Sequence, residues 1–284
     1  MTRAAFSLSR FTPGRLVRSA LLLLAVCITL GPLLYTLLTS LKYLRDITAM
    51  NFVFTATPDN YAALFNPSQS NFLRLALNSL MVGVISTAIV TFVGVLGAYS
   101  LTRFRWNPGV RTGITWWLLF LNLIPPVVFA GPFYVIARKF GLYDTILAVA
   151  IAHAVINLPL AVFIMQSFFA EVPKELEEAA AIDGCSRMQT LVRIILPITR
   201  PGIAAASLLA FIFSWKDFLL ALSLTSTPKS ATIPIGIAAF AQEYSIRYGE
   251  MAAAATVATI PAVILVIFAQ RHIVRGLTLG AVKG

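Results

Sequence analysis

Glu175, Glu177 and Glu178 crowd one polar stretch, Lys216-Asp217 interrupts an apolar run, and histidines stand at His153 and His272. Paired carboxylates do acid–base work when an apolar pocket or a like charge drives their pKa values apart. The glutamates have no apolar surroundings of that kind, so no catalytic residue is expected among them. His153 and His272 are distant and lack partners at ligand spacing, which predicts a buried, hydrogen-bonded histidine and an interfacial one rather than a metal site. Cys27 in an apolar run and Cys185 in a polar loop make no disulfide framework. Neither a G-x-x-x-x-G-K-[ST] loop nor a G-x-G-x-x-G turn is present, so no nucleotide or other cofactor is expected on this chain.

Lys216 and Asp217 carry more information. Charge inside a membrane is costly and marks function by default. Neighbours on a helix point about 100° apart, so each needs its own partner on another helix or a water-filled cavity. Two readings stay open: a translocation path or gate, shared with Asn157 of a nearby apolar run, or an interhelical ion pair near the outer end of a span. An ion-driven secondary transporter would need further intramembrane acids for its relay, and Asp217 alone is thin support. A membrane-embedded enzyme would need catalytic residues clustered at one depth, and none assemble.

Membrane spans must position these residues. The 284 residues are 58% hydrophobic and 12% charged, with mean hydropathy +0.85. The apolar runs are too long for soluble core helices. They predict an all-α polytopic bundle of about six spans, near 19–41, 75–102, 112–137, 145–170, 201–224 and 251–270, with tails 1–18 and 271–284. The first run exceeds a signal-peptide core, and no small-x-small site ends it. Pro125-Pro126 and Pro132 predict a kinked third span, and Gly83, Gly94, Gly97 and Ala98 suit close helix packing. Residues 42–71 read as an external loop with a short helix near Asn60–Phe65, and residues 225–250 as a mixed loop or re-entrant stretch.

A net charge of +11 raises nucleic acid as a partner, but the basic residues sit at the ends of apolar runs, where topology is written. Six spans put fourteen of them on the side of the termini and seven on the other, with Lys216 inside the bilayer. The excess predicts a cell-membrane protein with both termini, and the loop 171–200, in the cytoplasm.

That loop belongs to the most charged stretch, Glu171 to Pro201. Pro173 suits a first helical position, and the glutamates load the first turns, where a helix favours negative charge. Gly184 can take the positive φ that closes such a helix, and Ser186 with Gln189 has capping-box spacing for a second one. Leu191, Ile194 and Ile195 then form a stripe that needs burial, and Ala179, Ala180 and Ala181 a small, approachable face. A helix pair offered to a groove on a cytoplasmic partner accounts for both.

Glu178-Ala179-Ala180, three residues, Gly184, nine residues, then Ile194-x-Leu196-Pro197 resembles the EAA loop of binding-protein-dependent ABC importer permeases. PKELEEAAAIDG, NLP at Asn157, GLYDT at Gly141, SWKDFLLAL at Ser214 and the terminal RGLTLGAVKG are similar to the carbohydrate importers, and among them to the smaller, maltose-type second membrane subunit. The likeness runs from about Pro32 to the C-terminus; Lys216 departs from it, standing where the family usually has an uncharged amide. The resemblance implies import of a sugar or sugar derivative, with ATP and Mg held by two cytoplasmic ATPase subunits. It also implies a second related permease and an extracytoplasmic sugar-binding protein. Glu178, Ala179, Ala180, Asp183, Gly184, Ile194, Leu196 and Pro197 would couple to the ATPases, with GAVKG as a second contact.

Overall fold

The computed structural model describes residues 13–241 and 246–279, and these fall into two compact units. The first comprises the chain up to Leu64 together with Phe240–Val257. It opens on α1 (Pro13–Ser40), which starts ahead of the expected span and exposes its apolar side chains all round, Leu23 by 65%. Such a surface is stable only in hydrocarbon. The loop after it carries α2 (Leu44–Thr48) and α3 (Asp59–Phe65), the latter at the expected place. Asn60 donates to the carbonyls of Ser40 (2.9 Å) and Lys42 (3.0 Å), and the Tyr61 and Ser40 hydroxyls meet at 2.7 Å, so the loop is tied to the end of α1.

The second unit comprises Phe65–Ala239 and the chain from Ala258 onward. Its frame is α4 (Phe72–Arg103), α5 (Pro108–Leu123), α6 (Val127–Lys139) and α7 (Ile146–Glu171). α5 and α6 were expected as one kinked span; they are two helices bent by 102°. Pro125 and Pro126 remove consecutive amide donors and push Ile124 into the extended region (ψ 125°), whereas Pro132 is tolerated within α6. Next come α8 (Glu175–Ile182), α9 (Arg187–Ile198), α10 (Arg200–Lys216), α11 (Leu219–Leu224) and α12 (Ile233–Ala238). The expected fifth span is therefore broken between Lys216 and Leu219. α13 (Tyr248–Leu279) starts in the first unit and ends in the second, so the expected C-terminal tail is helical as far as 279. The expected contact at 280–284, and most of the N-terminal tail, lie outside the described residues.

Among the described residues four helices are long and apolar enough to cross a membrane, or up to six spans if each sharply bent helix pair counts as one. α4, α7 and α10 pack at close range through small residues. A Cβ added at Gly94 would stand 3.2 Å from the Ala161 methyl, and one at Gly83 would meet the Phe211 ring. Hydrocarbon gives helices no hydrophobic reason to associate, so such contacts and interhelical hydrogen bonds hold them. Thr91 and Ser207 supply one at 2.8 Å between α4 and α10. The stretch after α11 is stitched to α4: Asn78 donates to the Ala231 carbonyl (2.8 Å), and Ser79 accepts from the Ile233 amide (2.8 Å).

Gly94→Leu should overpack the α4–α7 contact and cost about 1–3 kcal/mol, read as an earlier unfolding midpoint in mixed detergent. Gly113→Ala, where an added Cβ meets nothing within 4 Å, should cause no loss.

Candidate functional site

Lys216, Asp217 and Asn157, singled out from sequence, line one cavity of about 500 Å³ together with His153, Asn122 and Phe213. The break in the fifth span creates it. Lys216 is the last residue of α10; Asp217 leaves the helix with ψ 131°, and its Oδ1 accepts from the amides of Leu220 (3.1 Å) and Ala221 (3.2 Å). Asp217 therefore ends one helix and caps the next, in the manner of an N-cap carboxylate. The same oxygen lies 3.0 Å from His153 Nε2, and His153 Nδ1 lies 2.7 Å from Ser214 Oγ. A carboxylate only accepts, so Nε2 carries a proton.

His153 is 2% exposed on α7, so the α7–α10 crossing closes on a buried Ser214–His153–Asp217 chain. The buried, bonded histidine expected from sequence is found; that it is the partner of Asp217 was not foreseen. Lys216 pairs with no carboxylate among the described residues, and its ammonium lies 4.7 Å from the Phe213 ring centroid.

At the other end of α4 and α7 the chain builds a second site. α8 closes as expected: Gly184 has φ +80°, its amide donates to Ala181 O (3.1 Å), and the Cys185 amide donates to Ala180 O (2.9 Å). These are the two bonds of a Schellman ending. Ser186 and Gln189 form the expected capping box for α9. Pro173 stands two residues before α8 rather than at its first position.

α8 is held from inside the chain by Tyr99 and Arg103, which no local sequence pattern singles out. Glu177 Oε1 pairs with Arg103 Nε at 2.5 Å, Tyr99 donates to Glu177 Oε2 (3.1 Å), and Arg103 also donates to the Val172 carbonyl (2.6 Å). Arg103 is 7% exposed at its side chain, so this is a nearly buried ion pair. α4 has 32 residues and is about 48 Å long, well beyond a hydrocarbon core of about 30 Å, so its end can reach α8.

The eight residues expected to couple divide into two groups. Glu178, Ala179, Asp183 and Gly184 are exposed, while Ala180 is buried and turned inward. On α9, Ile194 and Leu196 pack with buried Leu191 and Ile195 against α4, α7 and α10, and Pro197 is exposed. The apolar stripe is thus buried within this chain, not against a partner. Residues Leu191–Ile195 form a π-turn whose widening ends just before Pro197, and α9 meets α10 at 81°. The face of α8 left open carries Glu175, Glu178, Ala179 and Ile182, the last 88% exposed.

A third cluster was also missed. Asp144, between α6 and α7, accepts from the Ser226 and Thr227 amides (3.0 and 3.2 Å) and the Thr227 hydroxyl (2.7 Å), with Ser230 as a further close donor. Burial works against its charge, but these donors outweigh it and hold the carboxyl well below the usual range. Among the described residues no three His, Cys, Asp or Glu side chains converge on a metal-sized site.

Arg103→Ala leaves Glu177 largely buried and uncompensated, and should cost about 3–5 kcal/mol; Tyr99→Phe should cost about 1 kcal/mol, both read by denaturant unfolding in detergent. The contribution of Asp144 should be complete above about pH 4 and fall away as pH drops through its depressed folded-state value. Unfolding followed from pH 5 downward should show this acid loss in the wild type and a shallower one in Asp144→Asn.

Comparison with known proteins fits this geometry. Residues 90–279 match the family model described as binding-protein-dependent transport system inner membrane component. The trehalose transport system permease protein of Mycobacterium tuberculosis is 38% identical over 264 residues, 92% of this chain and 95% of that one. The sulfoquinovosyl glycerol transport system permease protein of Agrobacterium fabrum is 34% identical, covering 98% of this chain and 97% of that one. A chain of a bacterial ABC transporter that imports the acidic polysaccharide alginate shares the fold, with TM-score 0.77 at 19% identity over 94% of this chain and 99% of that one. A match of this length makes the chain a member of the family of binding-protein-dependent transport system inner membrane components.

Proposed function

We propose that this chain is the smaller, maltose-type permease of a sugar importer, driven through α8 by separate ATPase subunits. One observation carries the reading: α8 is braced from behind by Arg103 and Tyr99, yet offers a face of Glu175, Glu178, Ala179 and Ile182 that nothing among the described residues covers. A short, rigidly backed helix with one open apolar-acidic face suits a cleft on a partner. Of the second contact group, Ile194 and Leu196 act from behind by fixing α9 against the bundle, and Pro197 stays exposed.

Two ATPases would hold ATP and Mg, a related permease would complete the pathway, and an extracytoplasmic binding protein would deliver the cargo. Both termini and α8 would face the cytoplasm, as the excess of basic residues indicates. That the two relatives above are named for trehalose and for sulfoquinovosyl glycerol supports a sugar or sugar derivative as cargo. Lys216, Asp217 and Asn157 would lie on its path.

Ile182→Asp places a charge where the open face must be desolvated, and Gly184→Pro forbids the positive φ that ends α8. Both variants should insert normally yet lose at least about tenfold in ATPase recruitment, read by co-purification, and in ATP-driven uptake. Undiminished recruitment in both would remove α8 as the coupling element.

A further inference from the structure

Resting on the sugar-permease reading, we propose that the cavity at the break between α10 and α11 binds an anionic substituent of the cargo, a carboxylate or sulfonate, on the Lys216 ammonium. The distribution of charge around the cavity points there. It has one acid, Asp217, and that acid is already engaged: Oδ1 meets His153 Nε2 and two backbone amides. Lys216 is exposed to the cavity, with the Phe213 ring as its contact and no carboxylate within ion-pair distance among the described residues. Its place at the C-terminus of α10 offsets part of the cost of the charge, because carbonyls converge there. A ring face and a helix end leave the ammonium's three donors largely unused.

The rest of the lining suits the remainder of a sugar. Asn122 and Asn157 present amides that can donate and accept, as hydroxyls require, and Phe213 and Phe218 offer apolar faces. The volume of about 500 Å³ falls within the range of small-molecule sites. A neutral sugar needs only such amides and faces. A fixed cation in low dielectric gains when the cargo brings the opposite charge, and the same setting penalises a cargo that leaves it unpaired.

The test uses the complete transporter, with ATPases, partner permease and binding protein, in proteoliposomes. ATP-driven uptake is followed for a galacturonate disaccharide, a 6-sulfonated glucoside, trehalose and maltose. Wild type should take up an acidic probe; Lys216→Gln should lower that uptake at least about tenfold, and Lys216→Arg should largely retain it. Uptake of neutral sugars alone, or acidic uptake untouched by Lys216→Gln, overturns the anionic subsite and leaves the sugar reading standing. An equal fall for acidic and neutral probes also overturns it, since a packing role would produce that. Uptake of none of the four defeats the sugar reading and this inference with it.

Discussion

The close approach of α4 and α7 is the contact on which both sites depend. Small residues let the backbones meet, with Gly94 against Ala161, and buried Ala98, Met165 and Phe169 continue the seam. At one end α4 supplies Tyr99 and Arg103, and the chain leaving α7 supplies Val172 and Glu177, which they bind. Further along, α7 supplies His153 and Asn157 to the cavity. Separate α4 from α7 and the brace of α8 and the wall of the cavity go together. A membrane protein cannot recover that contact by hydrophobic collapse, because lipid tails are as apolar as the side chains.

The same helices provide a physical route between the two sites. α9 is packed into the bundle through Leu191, Ile194 and Ile195, turns by 81°, and continues as α10 to Lys216. In the proposed coupling, a displacement of α8 and α9 reaches the cavity along a single helix of 17 residues, about 26 Å long. The Thr91–Ser207 bond, the Ser214–His153 bond and the Trp215–Ala258 bond attach that helix to its neighbours. Asp144 ties the stretch after α11 to the loop before α7.

Local sequence signals specify local structure. The Schellman ending at Gly184, the capping box at Ser186 and the helix near Asn60 are decided by residues within a few positions of each other, and all appear where expected. The long apolar runs likewise give the all-α class. What was not legible is what depends on residues far apart in the chain. Arg103 and Glu177 stand 74 positions apart, and Arg103 read as one more basic residue of a topological loop. His153 and Asp217 are 64 apart, and nothing in either local pattern names the other. The two-proline bend was underestimated because a mild kink and a sharp bend begin with the same missing donors; which one results depends on what the next helix packs against. The apolar stripe of α9 was read as a partner surface because a stripe states that burial is needed without stating where.

In the proposed permease, the break at Lys216-Asp217 would let irregular backbone persist at membrane depth. Ending a helix exposes carbonyls and starting one exposes amides, and hydrocarbon can satisfy neither. Here two adjacent residues of opposite charge meet the two needs: Lys216 lies at the carbonyl end of α10, and Asp217 caps the amides of α11. The price is two charges at one break, and the chain treats them unequally. Asp217 is fully engaged, by His153 and by the amide end of a helix. Lys216 is given a ring and a helix end, which leaves its charge directed at the cavity. A break designed only to bend a span could be capped by uncharged residues, whereas one that leaves a cation facing a cavity also sets what the cavity prefers to hold.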